Sequence, residues 1–229
     1  MLFRTKSKRT RTDLHISIDG IEVLEVTKSK FLGVIINNTL TWNDHITMIK
    51  SKVVKSIGII YRMKFFVPRS VLLSLYHALV EPYLQYCNII WAGHRTSALM
   101  DLFLCQKRLM RIITNSSRLS QSAPLFKQLS ILPVYDINNL QVGCFMYSAV
   151  NRLLPQCFSS MFVTNSTLHS YSTRRHNDIH QTQFRLNITK FSIRVYGALL
   201  WNSLDSEIKC LPTLSSFKNR YKQNLIASL

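Results

Sequence analysis

The sequence predicts a mainly α-helical fold with a small N-terminal antiparallel β element, a β-hairpin, packed on a helical bundle. Three observations carry this. Apolar residues alternate with a period of two over about the first 40 positions. After Trp42 they recur at helical steps of three and four. Hydrophobic residues make up 47% of 229, with 12 Phe, 9 Tyr and 3 Trp, which is enough to bury a core. The shifts of pattern divide the chain into a β part at 1–41, a helical body at 42–155, and a polar linker with a helical tail at 156–229.

The elements follow in order. His15-Ile-Ser-Ile18 and Ile21-Glu-Val23 flank Asp19-Gly20, the two-residue turn that favours positive φ and closes hairpins. Lys30 to Ile36 is a third β-rich run, ended by Asn37-Asn38. Asn43 or Asp44 can cap a helix reaching about Met63, with Ile46, Ile49, Val53, Ile57 and Ile60 as its apolar stripe. Lys50, Lys52 and Lys55 lie off that stripe, and Arg62 and Lys64 stand at the end where the helix dipole favours cations. Pro68 suits a first turn for a helix through Val71, Leu72, Leu75, Leu79 and Val80 that yields near Pro82.

Ser97 can cap the next helix, to about Thr114. Leu99, Leu102, Phe103, Leu109, Met110 and Ile113 form its stripe, with Lys107, Arg108 and Arg111 toward the other side. A further helix spans about Asp136 to Arg152. Gly143 and Cys144 at its middle suggest close packing, and Pro155 ends it. Residues 159–190 are polar, include Arg174-Arg175, and read as a long loop or partly ordered linker. A mixed apolar stretch from Phe191 to Trp201 follows. Thr213 then caps a last helix with Leu214, Phe217, Tyr221 and Leu225. No internal repeat occurs.

Charge is the strongest compositional signal on function. There are 29 Lys and Arg against 11 Asp and Glu, a formal +18. From Leu102 to Tyr135 no acid occurs, while Lys107, Arg108, Arg111, Arg118 and Lys127 do. Such a field favours polyanions, and neutralising phosphates gains affinity by counterion release. Nucleic acid is therefore expected ahead of an anionic membrane or a merely basic, solubilising surface. Lys50, Lys52 and Lys55 on one helix and Lys107, Arg108 and Arg111 on another are the candidate nucleic-acid-binding residues.

The longest nearly apolar stretch, Val71 to Val80, falls short of the roughly 20 residues a membrane span needs. The basic start MLFRTKSKRTRT lacks the apolar core of a secretory signal. Five scattered cysteines, Cys87, Cys105, Cys144, Cys157 and Cys210, are expected to be reduced and buried, in keeping with an intracellular location. Cys157, His169, His176 and His180 lack the close first ligand pair of a structural zinc site. His45, His77 and His94 read as packing or surface residues.

A resemblance arises from an ordered series of fragments. Lys30-Phe-Leu-Gly-Val-Ile-Ile-Asn37 is followed by Leu40-Thr-Trp-Asn-Asp-His-Ile46, Pro68, Leu75-Tyr76, Pro82-Tyr-Leu-Gln-Tyr-Cys87 and Trp91. Gln106-Lys-Arg108 with Arg111, Trp201-Asn-Ser-Leu204 and Phe217-Lys218 continue it. Across nearly the whole chain this order resembles jockey-like non-LTR (LINE-type) retrotransposon reverse transcriptases, downstream of their catalytic aspartates. The resemblance implies the C-terminal fragment of an RNA-directed DNA polymerase: the end of the palm, the helical thumb and a tail. Met1-Leu-Phe3 resembles the family's strand after the active-site hairpin. Phe31, Leu32, Gly33 and Val34 would correspond to the primer grip, where a glycine lets backbone approach nucleic acid closely. The same glycine serves equally well in a strand that merely avoids a neighbour.

The polymerase chemistry itself needs carboxylates that hold two metal ions. No Asp-Asp pair occurs; Asp13, Asp19 and Asp44 stand apart in turn or cap positions. Magnesium would belong to the missing palm, and no cofactor is expected for this chain. No Gly-rich phosphate loop, His-Glu-x-x-His or Gly-x-Ser-x-Gly supports another chemistry. The expected partners are an RNA or DNA template and primer, and the remainder of the polymerase if encoded upstream, with no membrane and no small-molecule substrate. A decayed mobile-element product, helical but without retained activity, is the alternative reading.

Overall fold

The computed structural model describes residues 1–3, 15–93, 96–158, 160–168 and 174–229, without the side chains of Asn187 and Ile188. Asp13, His94, His169 and most of the basic N-terminal run lie outside the described residues. The chain is mainly helical, with two small two-stranded antiparallel sheets at the N-terminus on a helical bundle.

The first hairpin pairs β1 (Ser17–Ile18) with β2 (Ile21–Glu22). Asp19 and Gly20 have φ of 51° and 78°, the paired left-handed geometry that their sequence favours. Every strand residue of this hairpin is exposed.

The run from Lys30 to Ile36 is not one strand, as the sequence suggests. It folds back as β3 (Lys28–Phe31) and β4 (Val34–Asn37), in register Phe31 to Val34 and Lys28 to Asn37. Leu32 and Gly33 form the turn, with φ of 45° and 82°. Gly33 adopts this region freely, but Leu32 does so at a cost. Tertiary contacts offset that cost. The Tyr86 hydroxyl donates to the Leu32 carbonyl at 2.6 Å, and Val34 is 3% exposed against the bundle.

Helix α1 (Asn43–Met63) buries the predicted stripe Ile46, Ile49, Val53, Ile57 and Ile60. Its entry differs from the expectation. Trp42, at φ 61°, precedes the helix, and Asn43 and Asp44 lie inside it. The Asn37 side chain organises this turn, accepting the Thr41 N–H at 3.0 Å and donating to Thr41 Oγ1 at 2.8 Å and Asp44 Oδ2 at 3.2 Å.

In α2 (Arg69–Leu79) the buried positions are Leu72 and Tyr76, continued by Val80, while Val71 is exposed. Pro82 starts rather than stops structure. It sits in the first turn of α3 (Glu81–Gln85), which leads through a left-handed Cys87 to α4 (Asn88–Trp91). Helix α5 (Ser97–Ile113) is capped by Thr96, not Ser97; the Thr96 hydroxyl accepts the Leu99 N–H at 3.3 Å. Its buried Gln106 donates to the Tyr76 hydroxyl (2.9 Å) and the Leu132 carbonyl (2.8 Å) and accepts the Val134 N–H (2.9 Å), so this polar core residue is satisfied.

A short α6 (Ala123–Leu129), which the sequence reading leaves unassigned, precedes α7 (Val134–Val150). The short helices α8 (Asn165–Leu168) and α9 (Asn187–Lys190) lie within the polar segment 159–190. There the Asn202 side chain holds Ile179 by both its N–H (3.0 Å) and its carbonyl (2.9 Å), and Ile179 is buried.

A π-helical turn (Ile193–Gly197) enters α10 (Ala198–Ser203), followed by α11 (Ser206–Lys209) and α12 (Leu214–Ala227). Thr213 caps α12 by accepting the Ser216 N–H. Close packing at Gly143 is literal: a Cβ there would lie 2.6 Å from Tyr221 Cε1. One core cluster runs from Val34 through α1, α5 and α7 to Phe217 and Tyr221.

All five cysteines are free thiols, but the expectation that all are buried fails. Cys157, in a surface 3-10 turn, and Cys210, at the end of α11, are exposed.

Candidate nucleic-acid interface

The turn of the second hairpin overhangs a cleft of about 330 Å³ lined by Lys30, Gly33, His45, Met48, Ile49, Lys52, Pro82, Tyr83 and Tyr86. Helical spacing explains the α1 wall, since residues 45, 48, 49 and 52 share a face. Tyr83 on α3 and Tyr86 just past its end supply two rings to the cleft. A Cβ on Gly33 would touch the Tyr86 ring at 3.3 Å, so the glycine also lets the turn sit close to that ring.

The cleft combines cations, rings and one buried donor. Lys52 Nζ lies 4.8 Å from the centroid of the Tyr83 ring, within cation–π range. His45 is buried, its edge against Trp91 with ring centroids 5.7 Å apart. The Ile35 N–H donates to His45 Nδ1 at 3.3 Å, which leaves the proton of the neutral ring on Nε2. That Nε2 is buried with no hydrogen-bond partner. Burial, and then the nearby Lys52 charge, hold the His45 pKa below its ordinary value. Phe31 and Leu32, just before Gly33 in the chain, are 64% and 74% exposed, whereas Val34 is buried in the core.

The other predicted cations differ in availability. Lys50 is tied to Asp101 at 2.8 Å, a bond from α1 to α5 that raises the lysine's pKa. Lys55 is exposed. On α5, Lys107 Nζ lies 4.4 Å from the Phe103 ring centroid, and Arg111 Nε donates to the Ser120 carbonyl at 3.0 Å. Both are half-buried, and Arg108 is the exposed member of that triad. The structure therefore brings Lys52 to the Gly33 turn and leaves the α5 cations outside this cleft.

Lys30, His45, Tyr83 and Tyr86 are the residues that sequence reasoning did not select for the site. The seven-residue step from His45 to Lys52 and the Tyr-x-x-Tyr after Pro82 were the available signals. Among the described residues no three His, Cys, Asp or Glu side chains gather as a metal site, and no helix is long and apolar enough to cross a membrane. No protein-family model, curated protein or solved structure matches the chain.

Proposed function

We propose that this chain is the C-terminal part of a jockey-like non-LTR retrotransposon reverse transcriptase, contributing non-specific template and primer binding. The observation that carries the reading is the meeting of Gly33, in the turn of the second hairpin, with Lys30, Lys52, Tyr83 and Tyr86 in one cleft. Lysines can hold phosphates while the rings and exposed turn meet sugar and base, which positions a strand without reading its sequence. The ordered motif series through α1–α5 and α10–α12 supports the family assignment.

The chemistry of such a polymerase would come from another part of it. Two-metal catalysis needs carboxylates side by side. Asp19 here sits in an exposed turn, Asp44 accepts from Asn37 and lies 4.0 Å from Lys28, and Asp101 is bound to Lys50. These acids do not fit a magnesium pair, so we assign the chain no catalytic step. Primer extension by the purified chain with magnesium and nucleotides should not exceed a blank.

A salt titration of binding to an RNA–DNA hybrid tests the binding role. Log K should fall linearly with log salt, by roughly 0.9 per neutralised phosphate on B-DNA-like duplex and about 0.7 on single strands. Lys30→Gln with Lys52→Gln should flatten the slope by about one to two units and weaken all sequences alike. Replacing Lys107, Arg108 and Arg111 by Gln should flatten it less, by about one unit, because of the three Arg108 alone is exposed. An unchanged slope in the Lys30/Lys52 variant would move binding elsewhere. Absence of salt-dependent binding by the unaltered chain would favour the decayed, inactive product.

A further inference from the structure

The link between α1 and α2 presents a second surface, apart from the cleft. Phe65 and Phe66 are 68% and 81% exposed, and Tyr61 is 46% exposed. These rings do not owe their exposure to a slack loop. The Met63 carbonyl accepts both the Phe66 N–H at 2.9 Å and the Val67 N–H at 3.1 Å, and Met63 and Val67 both pack on the core. The anchors on either side turn inward, so the two rings between them point out.

Cations are built into this tip. Lys64 Nζ lies 4.9 Å from the centroids of both the Tyr61 and Phe65 rings, which meet edge to face at 6.0 Å. Arg62 and Arg69 are exposed beside them. No acid occurs between Asp44 and Glu81, whereas Lys50, Lys52, Lys55, Arg62, Lys64 and Arg69 do. The charge therefore suits a polyanion, and the rings suit flat apolar faces that a paired duplex keeps stacked inside.

Resting on the nucleic-acid reading above, we propose that the Tyr61–Arg69 tip is a binding site for single-stranded nucleic acid, with unpaired bases stacking on Phe65 and Phe66 and phosphates on Arg62, Lys64 and Arg69. Stacking on aromatic rings is tolerant of sequence and depends on the base being unpaired. An anionic membrane fits less well. A membrane wedge carries its rings beyond its cations, so that the charges stay among headgroups. Here the Lys64 ammonium lies on the ring faces and would enter the hydrocarbon with them.

The test uses the full chain with three probes: an oligodeoxythymidine, a blunt RNA–DNA hybrid of equal length, and vesicles containing an anionic lipid. Phe65→Ala with Phe66→Ala, checked for an unchanged unfolding midpoint, should weaken oligodeoxythymidine binding by about tenfold, leave its salt slope intact, and spare the hybrid. Phe66→Trp should keep single-strand affinity, with the introduced indole quenched by the oligonucleotide and not by the hybrid. Unchanged single-strand affinity in the double variant overturns the proposal, as does a loss confined to vesicles. If the unaltered chain binds neither nucleic acid, the broader reading falls and this site with it. If Lys30→Gln with Lys52→Gln weakens hybrid binding while the double variant changes nothing, the tip alone is overturned.

Discussion

The two N-terminal hairpins share a turn geometry and little else. Asp19-Gly20 closes the first with the residues that local chemistry prefers, yet both its strands lie in solvent. Leu32-Gly33 closes the second with a bulky residue in the left-handed region, yet this hairpin is seated on the bundle. Turn propensity forms a hairpin locally, whereas docking is decided by a handful of tertiary contacts: Val34 in the core, the Tyr86 hydroxyl on Leu32, and His45 on the Ile35 amide. The second hairpin is also the one that borders the cleft.

Four experiments sharpen this contrast. The largest effect is expected from Val34→Asp, which buries a carboxylate with no partner. It should cost about 3 kcal/mol or whatever smaller free energy releases the hairpin, read by urea unfolding. Ile18→Asp, in the exposed hairpin, should stay within about 0.5 kcal/mol. Equal losses in the two variants would erase the distinction. Next in size, Gly33→Ala meets both a positive φ and the Tyr86 ring at 3.3 Å, and should cost about 1–2 kcal/mol. Gly20→Ala meets the same φ but open space, and its strain should stay within the first hairpin, with the global midpoint unmoved.

Tyr86→Phe removes one half-exposed hydrogen bond, so its effect on the unfolding midpoint should be small. Its clearer readout is faster amide exchange in β3 and β4 with none in β1 and β2. The shallowest effect is that of acid. The folded state disfavours the His45 imidazolium because the ring is buried, and a protonated Nδ1 cannot accept from Ile35. Above the ordinary value near 6.5 the ring is neutral folded or unfolded, and pH has no leverage through it. As pH falls through that value the unfolded chain takes up the proton first, and stability declines until folded His45 protonates. Urea midpoints at about pH 7 and about pH 5 should therefore differ more for the unaltered chain than for His45→Asn.

Much of the bundle was legible because its outer helices are amphipathic. The stripes of α1 and α5 set both helices to within about a residue. The entry to α1 was not legible, because it depends on Asn37 reaching forward to Thr41 and Asp44. Helix α6 has too few residues to show a period. Helix α7 is surrounded on most sides, with Asn138 and Ser148 buried among its apolar residues, so it offers no clean stripe; Gly143 and the following Pro155 marked it instead. At the cleft, Lys52 stood out as a cation off the stripe, but the partners that make it a site come from β3, α3 and the turn. Their convergence depends on a fold-back at Leu32 that turn preferences argue against.

The clamp of Asn202 on Ile179 bears on how this chain tolerates change in length. One side-chain amide imitates a neighbouring strand, taking both the donor and the acceptor of a single residue at 3.0 and 2.9 Å. Among the described residues the polar segment is thus fastened to the body by this clamp and by Phe162, whose ring meets Phe145 at 6.2 Å. Doubling a flexible loop costs only about 0.6 kcal/mol in closure entropy. Insertions after His180, beyond the paired residues, should accordingly accumulate at small cost, so long as this clamp is kept.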